Sequence, residues 1–315
     1  MRFSIKVGGN CVSLSVFLEL VEIKAKTASV FPFLLGTFFA WYHYHQLHPV
    51  YLVLFFVAML MFNMAVDAND NYQDYHRATH NQALAFREQT NIIGVHHLNP
   101  AHIGWLIFWL IAGSGALGLF IVARTGWPLL WLGLFSYAVG FFYAGGPRPI
   151  STTPFGEFFS GITMGFVIFL ISVYINTYDV ITFNWAFVWP VLLSSGLAVC
   201  SIANLMLANN IADEQEDREL GRTTIVYYLG KAAALKLFVT LYVVGFICLL
   251  AAVWLGYLPK LTLLTFLTVP IVWRNTRDFL AKQIKKVTFP LAIKNLFLIT
   301  LAQVVFFGLG VLINW

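Results

Sequence analysis

The strongest constraint on this chain is a succession of apolar segments, each of roughly 17 to 25 residues, a length that lets a helix cross about 30 Å of hydrocarbon. No segment alternates apolar and polar residues over about ten positions, as a strand of a membrane barrel would. Only 10% of residues are charged and 59% are hydrophobic, whereas a soluble domain carries about 25% charge. These features exclude an ordinary soluble fold and predict an all-α integral membrane protein, a single domain over 1–315. Apolar windows place nine transmembrane helices at about 28–46, 49–66, 100–122, 127–145, 156–176, 183–210, 234–257, 259–273 and 289–314. Residues 1–27 form a cytoplasmic or interfacial N-terminal segment. Its weakly apolar stretch SVFLELV is flanked and interrupted by Glu19 and Glu22 and lacks a small-residue cleavage site, so an amphipathic interfacial helix is expected there rather than a cleaved signal. Cys11, Cys200 and Cys248 are isolated and define neither a disulfide framework nor a zinc site.

Charge distribution orients these spans. Of the 19 Lys and Arg residues, only Arg124 and Lys260 fall on the side opposite the N-terminus. The positive-inside rule then makes the N-terminus cytoplasmic and puts Trp315 on the far side. The formal charge of +5 therefore reads as topology and attraction to an anionic lipid bilayer, with no nucleic acid implied.

Against this apolar background two acidic stripes stand out. The second span runs into NMAVDANDNYQD, residues 63–74, which contains Asp67, Asp70 and Asp74. The sixth runs into ANNIADEQEDRELGRTT, with Asn210, Asp213 and Asp217 at the same spacing, 143 residues later throughout. On a helix such spacing lines one face, and Asn63 extends the first stripe by a turn. The constant offset predicts a duplicated four-helix unit, about 28–145 and 156–273, with a ninth helix at about 289–314. Carboxylates at a membrane edge need a compensating partner. Asp and Asn oxygens suit a hard cation, and Mg²⁺ is typically held by one or two carboxylates together with substrate phosphates. An EF-hand is excluded, because its sixth position would be Tyr72 instead of Gly and its twelfth Ala78 instead of Glu.

The stripes Asp67-x-x-Asp70-x-x-x-Asp74 and Asn210-x-x-Asp213-x-x-x-Asp217-Arg218, together with nine spans, resemble the UbiA superfamily of intramembrane aromatic prenyltransferases. ASVFPFLLGT at 28–37, YAGGPRPIS at 143–151 and GRTTIVYYLG at 221–230 are similar to its MenA-type branch, the 1,4-dihydroxy-2-naphthoate polyprenyltransferases. Val66 departs from that pattern, standing where the family usually carries Asn before the first Asp, and Pro147 precedes Arg148 where other branches often have Lys.

The resemblance implies Mg²⁺-dependent transfer of a polyprenyl group from polyprenyl diphosphate to 1,4-dihydroxy-2-naphthoate, with decarboxylation to demethylmenaquinone, on the cytoplasmic side of the plasma membrane. Asp67, Asp70, Asp74, Asn210, Asp213 and Asp217 would hold the metal. Arg148, then Arg77 and Arg222, would contact the diphosphate, with Asn63 as a further ligand or orienter. The Tyr143 ring would face the allylic cation, and His96 and His97 are candidates on the acceptor side. Other aromatic acceptors of the superfamily (4-hydroxybenzoate, homogentisate, haem) stay open. An ion-coupled transporter would place its acids nearer the bilayer midplane, and a CDP-alcohol enzyme would need a Gly after its second Asp, where Asn71 stands.

Overall fold

The computed structural model describes residues 4–7, 10–80, 88 and 90–313. Among the described residues the regular structure is helical apart from one pair of strands, in which β1 (Ser4–Val7) pairs antiparallel with β2 (Asn10–Ser13), Ser4 opposite Ser13. The helix expected over SVFLELV is α1 (Leu14–Leu20); the strand pair that precedes it was not anticipated. Polar and apolar residues alternate in SIKV, as a strand period of two requires, and helix begins where Ser13 caps α1, its side chain accepting from the Val16 amide.

The long helices follow in order: α2 (Thr27–Tyr44), α3 (Pro49–His80), the single turn α4 (Ile92–Val95), α5 (Pro100–Thr125) and α6 (Trp127–Ala144). The second half comprises α7 (Gly156–Thr177), α8 (Trp185–Ala212), the short α9 (Glu214–Glu219) and α10 (Ile225–Leu229), α11 (Lys231–Trp254), α12 (Val269–Ala281) and α13 (Phe289–Leu312). Local chemistry sets many of the boundaries. Asn99 and Asn184 cap α5 and α8 with their side-chain oxygens, and Pro stands in the first turn of α5, α6, α12 and α13, where its missing N–H costs nothing. Gly126, at φ 98°, joins α5 to α6 in one residue, a conformation that L side chains resist.

Among the described residues seven helices (α3, α5, α6, α7, α8, α11 and α13) are long and apolar enough to cross a membrane. The expected first span is α2, whose end TFFAWYHY is rich in amphipathic aromatics. The expected eighth is not a single α-helix: a 3₁₀ segment, Lys260–Thr268, leads into α12, which carries Arg274 and Arg277.

The spans form layers. In their most apolar windows α7 and α8 are 67% and 72% enclosed, against 17–22% for α3, α5 and α6. Helix α8 therefore sits at the centre, packed on α11, α13 and α7, while α3 packs on α5 and α2 on α7. The close approach of α7 and α8 depends on glycine: a Cβ on Gly165 would stand 2.7 Å from the Cα of Val199. Gly165 lies in a π-helical stretch of α7, Gly161–Val167, which turns that face onto α8.

Candidate functional site

Helix α3 continues well beyond its apolar part, so Asp67, Asp70 and Asp74 do share one helix. The second stripe is less regular. Helix α8 ends at Ala212, Asp213 is its C-cap, and Asp217 lies in α9. Its facing is nonetheless preserved, since the amides of Asp213 and Asp217 donate to the carbonyls of Asn209 and Asp213 at 2.9 and 2.8 Å.

Arg222 joins the two stripes. Its guanidinium lies 3.8 Å from Asp74 Oδ2 and 3.5 Å from Asp217 Oδ1. Arg77 Nη1 is 3.5 Å from Asp74 Oδ1, and its other nitrogen donates to the Ala144 carbonyl at the end of α6. Lys26 pairs with Asp67 and also donates to the Asn63 carbonyl at 3.2 Å. Lys285, from the segment after α12, pairs with Asp213 and donates to Asn209 Oδ1 at 2.5 Å. Asp70 has no ion-pair partner among the described residues, although Asp74, Glu22, Arg222 and Arg77 all lie within its electrostatic reach. Burial pushes the Asp217 carboxyl up to about 6, against the pull of Arg222. Burial likewise lowers Lys26 to about 8, in spite of nearby Glu22.

The other expected residues divide. Asn210 is buried and donates from Nδ2 to Glu157 Oε1 at 2.8 Å. The Tyr143 hydroxyl is buried beside Ser160, with Asp70 and Glu157 as its charged neighbours. Arg148 is exposed and donates to Thr223 Oγ1 at 3.1 Å, which ties the 145–149 loop to the strap carrying Arg222. Arg218 turns outward to Glu214 at 3.1 Å. His96 faces Glu19 at 3.4 Å on an exposed surface, away from these groups.

Below the stripes α3, α5, α6 and α7 enclose an apolar cavity of about 300 Å³, lined by Phe55, Phe62, Leu119, Leu134, Met164 and Ile168 among others. Asn63 belongs to both features, lining the cavity one turn before Asp67 while its own amide donates back to Met59. No group of three or more His, Cys, Asp or Glu side chains is gathered around one point among the described residues. The donors nevertheless fit a hard divalent cation in chemistry: all are oxygens, and Asp217 Oδ2 is buried without a partner.

Residues 29–298 match the model of the UbiA prenyltransferase family. The chain belongs to that family. It is 31% identical over 271 residues to the 1,4-dihydroxy-2-naphthoate octaprenyltransferase of Bacillus subtilis, spanning 85% of this chain and 83% of that protein. Two solved UbiA homologues share the fold. One is from Archaeoglobus fulgidus, solved with GPP and Mg²⁺ (TM-score 0.68, 12% identity, 94% of this chain and 99% of that one). The other is from Aeropyrum pernix K1, solved in its apo form (TM-score 0.68, 18% identity, 91% and 97%).

Within this UbiA member the departure at Val66 has a packing reason. A Cβ on Gly140 of α6 would meet Val66 Cγ2 at 2.9 Å, so the Val66 side chain faces a helix contact instead of the stripe. Three polar residues escaped the sequence reading: Lys26, Lys285 and Glu157. The first two read only as topology charges, and their pairing with Asp67 and Asp213 depends on tertiary approach. Glu157 carried one usable signal, an acid directly at the start of an otherwise apolar span.

Proposed function

We propose that this protein transfers a polyprenyl group from polyprenyl diphosphate to 1,4-dihydroxy-2-naphthoate with loss of the ring carboxylate, giving the prenylated naphthoquinol, the reduced form of demethylmenaquinone. It does so as a nine-span protein of the plasma membrane, its N-terminus and reaction site cytoplasmic. The observation that carries this reading is the convergence of both acidic stripes on Arg222, above an apolar cavity that Asn63 joins to the first stripe. A diphosphate head needs cations and a prenyl tail needs an apolar bed, and the two lie one helical turn apart. The identity to the Bacillus subtilis octaprenyltransferase supports the choice of acceptor.

Asp67, Asp70 and Asp74 on one side, with Asn210, Asp213 and Asp217 on the other, are the residues that would hold Mg²⁺, in keeping with the Archaeoglobus fulgidus homologue solved with GPP and Mg²⁺. Bound there, the metal would neutralise the charge that grows on the departing diphosphate as the allylic C–O bond breaks. Arg222, Arg77 and Arg148 supply mobile positive charge at the same end of the bundle and contact the diphosphate oxygens. The Tyr143 ring face attracts the allylic cation, worth about 0.5–2 kcal/mol. The cavity walls hold the tail and keep water from the cation. The ring carbon attacks, and carbon dioxide leaves with the bonding pair returned to the ring.

The test incubates purified protein with Mg²⁺, a long prenyl diphosphate and, in separate reactions, 1,4-dihydroxy-2-naphthoate, 4-hydroxybenzoate or homogentisate. Prenylated naphthoquinol with stoichiometric carbon dioxide from the first acceptor is expected. Prenylation of another acceptor alone would overturn the assignment.

A further inference from the structure

Glu157 is 5% exposed, an acid in the first turn of α7 that no cation pairs among the described residues. One carboxylate oxygen, Oε1, accepts from Asn210 Nδ2 at 2.8 Å, which leaves the Asn210 amide oxygen free for the second stripe. The other, Oε2, is buried with no partner, and the hydroxyl of Tyr143 is buried nearby. Further along α7, Ser160 neighbours Tyr143, and the unpartnered Thr163 hydroxyl lines the apolar cavity. A polar track on α7 thus leads from Asn210 toward the bed assigned to the prenyl tail.

Buried polar atoms without partners are costly, about 1–3 kcal/mol each, and several together in one place point to a ligand that completes them. We propose that Glu157, with Tyr143, is the hydrogen-bonding seat for a ring hydroxyl of the aromatic acceptor. This deepens the prenyltransferase reading and rests on it. A hydroxyl both donates and accepts, so a naphthol hydroxyl can complete the unpartnered Oε2 of the Glu157 carboxyl. The Tyr143 hydroxyl can donate to the same ring oxygen. Held there, the hydroxyl places its ring beside Asn210, next to the site assigned to the diphosphate, and its hydrogen bond to a carboxylate pushes electron density into the ring.

The test compares wild type with Glu157→Gln and Tyr143→Phe in detergent. It measures KM for the naphthoate acceptor and for prenyl diphosphate separately, direct binding of the acceptor without prenyl diphosphate, and the preference for the free acceptor over its O-methyl ether. Glu157→Gln is nearly isosteric and can still accept from Asn210, so the fold and the diphosphate KM should be kept. The acceptor KM and dissociation constant should rise on the order of ten- to a hundredfold, and the preference for the free hydroxyl should disappear. Tyr143→Phe should weaken acceptor binding in the same sense. Unchanged acceptor binding and undiminished preference in Glu157→Gln would overturn the inference. So would a rise confined to diphosphate KM and metal requirement, which would make Glu157 only a positioning residue for Asn210. If wild type prenylates no hydroxyaromatic acid, the prenyltransferase reading itself fails, and the seat with it.

Discussion

Asp70 and Lys26 show how two charged residues of one site bear different loads. Asp70 is crowded by Asp74 and Glu22 and has no ion pair among the described residues, so removing its charge relieves repulsion in the folded state. Asp70→Asn should therefore keep its thermal transition while losing at least about a hundredfold in kcat, the scale expected when a charge-stabilising group is removed from a transition state. Asp213→Asn should lose kcat on the same scale, although it also breaks the pair with Lys285. Lys26 is buried against Asp67 and the Asn63 carbonyl. Lys26→Met leaves both acceptors without their donor and should cost about 1–3 kcal/mol of stability, seen as a lower unfolding temperature in detergent. Restoring neutrality with Asp67→Asn in the same chain should recover part of that loss. The acids of this site were legible in the sequence because their spacing repeats. Two of their cations were not, since Lys26 and Lys285 reach Asp67 and Asp213 only through tertiary packing.

At the scale of elements, the position of α7 against α8 governs the second stripe, because α7 carries Glu157 and α8 carries Asn210. That contact rests on the π-helical stretch and on Gly165, where a Cβ would stand 2.7 Å from the Cα of Val199. Since the obstacle is backbone, Gly165→Val should force the helices apart at a cost of about 1–3 kcal/mol and weaken diphosphate binding along with stability. Circular dichroism melts and binding measured on the same preparation check both. Helices α3, α5 and α8 were readable from hydropathy. The π turn and the break of α8 at Asp213 were not, because the apolar span has no periodicity that distinguishes i→i+4 from i→i+5 bonding. The hairpin at residues 4–13 was missed because strands this short compete poorly with a helical prior taken from the rest of the chain.

Viewed whole, the molecule is a bundle with its acidic stripes at one end and apolar space behind them. Gly118 and Gly133 line the cavity, and neither has a neighbour within 4 Å of an added Cβ. Leucine at either position should fit without loss of stability while occupying room assigned to the prenyl tail. Gly133→Leu should raise KM for long prenyl diphosphates and leave a ten-carbon donor nearly unaffected, by steady-state kinetics on a donor series. Equal effects on both donors would remove the cavity from the account. The central claim is that both stripes act together on one metal-bound diphosphate. Calorimetric titration of prenyl diphosphate into wild type, Asp70→Asn, Asp213→Asn and the double variant, each with Mg²⁺ and with excess chelator, tests it most directly. Binding that needs Mg²⁺, falls sharply in either single variant and falls little further in the double is the predicted result. Undiminished binding in chelator, or strictly additive losses from two independent stripes, would contradict it.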